Sequence, residues 1–468
     1  LHEARPYLGG RAASWPLDPS DPASERIDNC QHVAMGCCTA YLHFCRTVGI
    51  SRWLSRQREL RFVAPPTTER PELFRFRDFP LPAPLHLVPA LLGLRFLSVG
   101  DRHAVLRGLF RLARTAPHRL ERPFSEWLSQ CGQPRSAIDH FWKVVLVSAL
   151  SESLDQISVR YARQVFVQGF LAHRKSWEMV LPTAPLGALY GDRLEAWLRA
   201  RGATVRLGAR VLRLHTAAGR IERVELDGGE TLRADHYIVA VPHWRVAALL
   251  PDSVRGDLQR RGSLSLQTAP IASVHLWFDR PITRLRHAAL VGRLSQWLFT
   301  RSGSGPTDGR DPAELTGTSG SEPADPVPKR LHYCQVVVSQ ARRLTRCPAE
   351  EVIRQVVREL ADIWPTVRQA QLIHGRMIIE HRAVFSPLPN VDFHRPPQRT
   401  AVPNLHLAGD WTQTGWPSTM EGAVRSGYLA AESVLESAGR AEPLLPPAPT
   451  AGLSRLLLQP TPAERRRH

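Results

Sequence analysis

The chain has 468 residues, enough for two or three domains at roughly 150 residues each. Its 43% apolar and 22% charged residues fit an ordinary globular protein and exclude collagen-like, coiled-coil and disulfide-scaffold classes. The net charge of +18 suits anionic partners, but the 58 arginines are spread along the chain with no cluster interleaved by aromatics, so nucleic acid is not an expected partner.

Residues 1–50 read as a strand end, the tight turn Leu8-Gly9-Gly10-Arg11, and a helix carrying Tyr41, Cys45 and Val48 at i, i+4, i+7 that stops near Gly49. Residues 51–185 read as mostly helical, with proline-rich interruptions near 65–90. Inside them the apolar stretch Leu85–Leu97 is followed by Arg102, Arg107, Arg111 and Arg114. Two readings stand there: a core helix followed by a solvated basic one, or a surface that dips into a bilayer with arginines on the headgroups.

The texture changes over 186–250. A helix marked by Leu194, Trp197 and Leu198 gives way to short strands at Thr204–Leu207, Arg210–Leu214, Ile221–Leu226 and, after the Asp227-Gly228-Gly229 turn, His236–Val241. Residues 251–395 contain a Gly/Ser/Pro/Asp-rich stretch, 301–330, expected to be a flexible loop. Its Gly303-x-Gly305 neither follows a strand nor opens a helix, which removes a phosphate-loop reading. Residues 396–437 read as strand, turn and helix, and 438–468 as a proline-rich, disordered tail.

Seven cysteines without a C-x-x-C pair predict ordinary thiols in a reducing compartment and no metal site. No apolar run reaches the roughly 18 residues of a membrane span. No secretory leader is visible, although the chain opens on Leu1 rather than Met.

The densest chemistry lies at Leu405–Leu435. A strand over Asn404–Ala408 runs into Gly409-Asp410, and a helix opens at Ser418, where Ser418 and Glu421 fit an S-x-x-E capping box. A strand, a Gly-Asp turn and a helix N-terminus make an anion cradle. Glu421 is read as satisfying its own helix rather than as a catalytic acid. Glu3, at a strand end before the Gly-Gly-Arg turn, has the place of the acid that binds ribose hydroxyls about 20 residues beyond G-x-G-x-x-G in dinucleotide folds. On that reading the glycine fingerprint belongs upstream of Leu1 and the chain is truncated.

The motifs E-A-R-P-x-L-G-G-R (3–11) and D-N-x-Q-H (28–32), the segment Ala234 to Pro242, Arg382-Ala383-x-Phe385-Ser386-Pro387, and L-A-G-D-W-T-x-T-G-x-P-S-T-x-E-G-A-V-R-S-G (407–427) together resemble the FAD-dependent amine oxidase and phytoene desaturase superfamily. Within it they most resemble the hydroxysqualene dehydroxylases, also described as squalene-associated FAD-dependent desaturases. The resemblance implies an α/β fold: a Rossmann-like FAD-binding domain built from 1–50, 186–250 and 396–437, its first βαβ fingerprint missing, with an inserted α+β substrate domain. It implies Glu3 on the adenosine ribose, Gly9, Gly10 and Arg11 near the pyrophosphate, and the Val211 backbone at the adenine. Gly409 and Asp410 would hold the pyrophosphate and ribityl chain. Thr419, Met420 and Glu421 would offer backbone N–H groups to the flavin, bordered by Asn29, Gln31 and His32. Cys30 departs from the glycine expected in D-N-G-Q-H and crowds the flavin face.

The reaction so implied replaces an allylic C–OH by C–H in a C30 isoprenoid, with His32, beside Gln31, as candidate proton donor and Phe141, Trp142, Trp177 and Phe385 as tunnel candidates. It needs a reductant, NAD(P)H or a reductase. The expected setting is cytoplasmic, peripheral on the inner, anionic face of the cell membrane. A desaturase running the hydride the other way is the near alternative. An amine oxidase fits less, because none of the three lysines falls in a flavin-facing motif. A non-catalytic flavoprotein scaffold at the membrane is the alternative of another class.

Overall fold

The computed structural model describes residues 1–18, 20, 24–68, 71–301, 331–447 and 453–454. The strands used below are, in chain order, β1 (His2–Glu3), β2 (Leu60–Val63), β3 (Leu73–Phe76), β4 (Arg206–Leu207), β5 (Tyr237–Val239), β6 (Thr268–Phe278), β7 (His287–Leu290), β8 (Trp297–Arg301), β9 (His332–Val338), β10 (Leu372–Phe385) and β11 (Leu405–Leu407). The helices are α1 (Thr39–Val48), α2 (Val88–Leu92), α3 (Val99–Ala113), α4 (Ala349–Ile363) and α5 (Met420–Ser437).

One side of the molecule rests on two parallel pairs. β1 lies beside β4 with Glu3 opposite Leu207, and β5 beside β11 with Val239 opposite Leu407. Antiparallel strands at Val211–Ala217, Arg220–Leu226 and Thr231–Leu232 form a small separate sheet. Helix α1 buries Tyr41, Leu42, Cys45 and Val48 and ends at Gly49, whose left-handed φ of 82° suits a residue without Cβ.

The other side is a seven-stranded sheet in the order β10-β6-β9-β8-β7-β2-β3. β6 is almost wholly buried because both its faces are covered. Helix α4 seals one face with Val352, Val356, Leu360 and Ile363, the i, i+4, i+8, i+11 stripe of an amphipathic helix, against a core that includes Val274, Leu276 and Val336.

Three expectations change. The 51–185 segment is not simply helical. Leu60-Arg61-Phe62 and Phe74-Arg75-Phe76 alternate with period two, and β2 and β3 extend the large sheet, with β2 parallel to β7. Leu85–Leu97 is not one helix: a 3₁₀ turn at Leu85–Leu87 leads into the five-residue α2, and α3 starts only after Ser98. The expected tail is packed where it first leaves α5, since Leu444 and Leu445 donate backbone N–H groups to Glu432 Oε1 and Leu445 is buried. The expected loop, apart from Arg301, and tail residues 448–452 and 455–468 lie outside the described residues.

Candidate functional site

Between the two sides runs a cavity of about 2550 Å³. Its walls include Glu3, Gly9, Gly10, Arg11, Asn29, Gln31, His32, Val211, Gly409, Asp410, Thr419, Met420 and Glu421, so positions spread over more than 400 residues of sequence meet in one space.

Two glycine corners shape the end of the cavity where the expected nucleotide-binding residues gather. Gly9 has φ 106°, and a Cβ there would stand 2.5 Å from the Ala12 carbonyl oxygen. Gly409, at the end of β11 with φ 123°, would press a Cβ to 2.6 Å from Trp411 Nε1. Only glycine fits either place. Between them Arg11 Nη2 reaches Asp410 Oδ2 at 2.6 Å, Arg11 Nη1 donates to the Ala383 carbonyl at 2.5 Å, and the Ser418 hydroxyl donates to Asp410. Burial by itself would raise the Asp410 pKa, but Arg11 and the Ser418 bond outweigh it and hold the carboxyl below its ordinary value. Glu3, at the carboxyl end of β1, accepts the Arg5 N–H at 2.8 Å.

The loop after Asp28 is fixed from behind. Asp28 Oδ1 accepts from the Ser14 hydroxyl at 2.5 Å and the Leu186 N–H at 2.9 Å. Asn29 Nδ2 donates to the Arg11 carbonyl at 2.5 Å, while its buried Oδ1 has no partner. Gln31 Nε2 reaches the His32 carbonyl at 3.5 Å. The Cys30 thiol, also on the cavity wall, is pushed up to about 12 by burial and is uncharged.

His32, the expected proton donor, lies on the cavity wall. Burial lowers its pKa, so the ring is neutral at pH 7. Since a carbonyl only accepts, Nδ1–H donates to the Cys30 oxygen at 2.9 Å, which leaves Nε2 an acceptor. A neutral imidazole of this tautomer has no proton on Nε2 to give.

Helix α5 also differs from expectation. Its N-cap is Thr419, whose hydroxyl accepts the Gly422 N–H at 3.1 Å, and the Ser418–Glu421 capping box does not form because Ser418 is engaged by Asp410. Buried Glu421 instead accepts the N–H groups of Ala40 at 3.2 Å and Tyr41 at 2.8 Å, capping α1 across 380 residues of sequence. Burial raises its pKa, against the pull of these bonds and of Arg425. Of the tunnel candidates only Phe141 lies on the cavity wall; Trp142, Trp177 and Phe385 are buried core.

The sequence reading missed two supports. Fully buried Arg395 donates to the Asp410 carbonyl at 3.0 Å, the Thr414 hydroxyl at 2.8 Å and the Tyr161 hydroxyl at 2.7 Å, clamping the Gly-Asp turn. Trp244, on the cavity wall, receives Arg11 and Arg382 at 5.9 and 5.3 Å from its ring. Neither sits in a motif; Arg395 was visible only as the arginine immediately before the Pro396-Pro397 pair that precedes β11.

The glycine corners, the Arg11–Asp410 pair, the unpartnered Asn29 acceptor and the N-terminus of α5 fit a bulky anionic nucleotide carrying an amide-rich ring. No G-x-G-x-x-G run occurs in the 468 residues given, and Gly9–Arg11 and Gly409–Asp410 line this end of the cavity.

This arrangement defines an α/β two-domain flavoprotein. The chain matches the family of flavin containing amine oxidoreductases over residues 1–435 and belongs to it; it is a flavin-dependent oxidoreductase. It is 27% identical over 446 residues to hydroxysqualene dehydroxylase of Rhodopseudomonas palustris, covering 94% of this chain and 93% of that protein. It is 24% identical over 471 residues to a probable zeta-carotene desaturase of Synechococcus elongatus, covering 93% of each. An oxidoreductase of Methanosarcina mazei shares the fold, with a TM-score of 0.64 at 16% identity and 93% of each chain covered.

Proposed function

We propose that the chain is an FAD-dependent enzyme acting on a C30 isoprenoid, reductively converting hydroxysqualene to squalene. The observation that carries this reading is the stretch of cavity wall supplied by residues 60–179, the apolar arm. From Leu60 to Met179 the wall residues include Phe62, Leu91, Leu109, Phe141 and Phe166, and among the described residues of that range no carboxylate, arginine or lysine is on the wall. The polar groups of that arm are His140, Ser148, Ser151 and Gln164. Such a wall takes a hydrocarbon chain and gives a cationic amine no counter-charge. The four acids on the wall, Glu3, Glu380, Asp410 and Glu421, belong to other segments of the chain.

The balance of the reaction is R–OH plus a proton and a hydride giving R–H and water. Reduced FAD, when bound, would supply the hydride. Gly9–Arg11, Gly409–Asp410 and the first turn of α5 would hold the cofactor, and the apolar arm would exclude water from the allylic cation left when the hydroxyl departs. The leaving oxygen needs a proton. His32 serves only in its protonated form, which its lowered pKa makes scarce at pH 7, so a rate that uses it rises toward acid pH.

The test is anaerobic: the chain with photoreduced FAD and hydroxysqualene in detergent, products read by mass spectrometry. Squalene formed in step with flavin oxidation supports the dehydroxylase. Unchanged hydroxysqualene, with a polyene product from oxidised FAD and squalene or phytoene, supports the second reading, an isoprenoid desaturase. The near full-length similarity to a carotenoid desaturase favours that alternative equally.

A further inference from the structure

We propose that the surface formed by residues 73–114 docks this protein onto an anionic phospholipid bilayer, with the mouth of the apolar arm inside the contact. Seven large apolar side chains of this segment, Leu73, Phe79, Leu81, Leu85, Leu92, Val99 and Phe110, are exposed, Val99 and Phe110 by 62% and 59%. They belong to one tied surface. The Phe79 N–H bonds the His86 carbonyl at 2.9 Å, Arg102 donates to the Leu92 carbonyl, and the Phe74 and Phe96 rings meet edge to face at 5.1 Å. Scattered exposed leucines are ordinary, whereas a connected group of this size on one short segment marks a contact surface.

Two further observations select the occupant. First, the cavity opens here: Leu85 and Phe110 are both on its wall and exposed, and Val88, Leu91, Leu106 and Leu109 continue the wall inward. On α3, Val99, Leu106, Phe110 and Ala113 follow the i, i+7, i+11, i+14 spacing of one stripe, with Arg107, Arg111 and Arg114 along its flank. Second, the charge is one-signed. The segment has seven arginines and two acids. Asp78 is paired with Arg174 at 2.9 Å, and Asp101 is used in the capping box of α3 with Ser98. Among the described residues no carboxylate pairs with Arg95, Arg102, Arg107, Arg111 or Arg114. Apolar side chains rimmed by unpaired arginines suit acyl chains beneath anionic headgroups. A second copy would bring like charge against like charge. No described helix is long and apolar enough to cross a membrane, and the proposed contact uses the exposed surface of 73–114 alone.

This partner rests on the isoprenoid reading, but its test uses neither substrate nor turnover. The FAD-loaded chain is floated with phosphatidylcholine vesicles with and without phosphatidylglycerol, at low and high salt. Binding is expected with phosphatidylglycerol at low salt and weakens with salt. Leu92→Asp/Val99→Asp and Arg107→Glu/Arg111→Glu are each expected to cut the bound fraction roughly tenfold or more. These positions are exposed, and unchanged melting curves verify folding. The control Arg354→Glu/Arg358→Glu, on the exposed side of α4, makes the same charge change elsewhere and is expected to bind as the parent does. Failure to float with anionic vesicles at low salt overturns the proposal. So does an equal loss in the control, which would assign binding to net charge. A dimer in sedimentation that Leu92→Asp/Val99→Asp dissociates, without vesicle binding, would assign the surface to a second copy. Squalene production without flotation would leave the catalytic reading standing and remove this one.

Discussion

The two ends of the cavity are built by opposite means. At the nucleotide end few substitutions are tolerable: Gly9 and Gly409 have no room for a Cβ, Asp410 is held by Arg11 and Ser418, and Arg395 is wholly buried beneath them. In the apolar arm leucine, valine and phenylalanine make up most of the wall, each replaceable by another of similar volume. Directional contacts need particular atoms at particular places, while hydrophobic burial needs only area. One end therefore carries residue-by-residue motifs and the other only a composition.

The comparison can be broken most severely at the Arg11–Asp410 pair. Arg11→Ala or Asp410→Ala leaves a charge in a mostly buried site, and a loss of about 2–4 kcal/mol in cofactor affinity or stability is expected. Flavin absorbance retained after gel filtration measures it; full retention in both variants would remove the pair from the site. Next, Glu421→Ala strips the acceptor from the Ala40 and Tyr41 N–H groups and is expected to destabilise the fold by about 1–3 kcal/mol, read by thermal melting.

Acid sharpens the contrast in another way. Burial lowers His275 to about 3 and His86 and His406 to about 4, all fully buried in the fold. The unfolded chain binds these protons below pH 6.5 and the native one does not, so stability is full above that value and is lost as pH falls. A cost of about 1–2 kcal/mol for each between pH 7 and pH 5 is expected. Melting curves across that range that show no fall would contradict it. Asp410, with a lowered carboxyl pKa, gives up its share only at still lower pH.

The apolar arm should answer most mildly. Phe141→Leu keeps the flavin spectrum and costs under about 1.5 kcal/mol in stability, but changes KM for a hydrocarbon substrate. Loss of flavin in this variant would show that the two ends are not independent. His32→Gln is expected to flatten the acid rise in rate without releasing flavin, and an unaltered pH profile would exclude it as the proton source.

Much of the nucleotide end was legible in the sequence. Gly-Gly-Arg, Asp-Asn-x-Gln-His and the long Leu407–Gly427 run name the residues that converge, because a tight turn or a charge pair leaves a local trace in residue type. The helix ending at Gly49 and the short strands after 203 were legible for the same reason: a left-handed cap and period-two alternation are written locally.

What the sequence could not contain is which distant partner satisfies a group. Glu421 had the spacing to cap its own helix, yet tertiary packing placed it at α1 and gave Asp410 the hydroxyl of Ser418. His32 had an ordinary imidazole on paper, and only burial beside the Cys30 carbonyl set its tautomer and lowered its pKa. Strands β2 and β3, lodged among helices in sequence, joined a sheet whose other members begin some 190 residues later, since hydrogen bonding between strands ignores chain distance. Local chemistry determined which residues were available. Long-range packing decided what each of them faces, because desolvation and hydrogen-bond partnership are properties of the assembled interior.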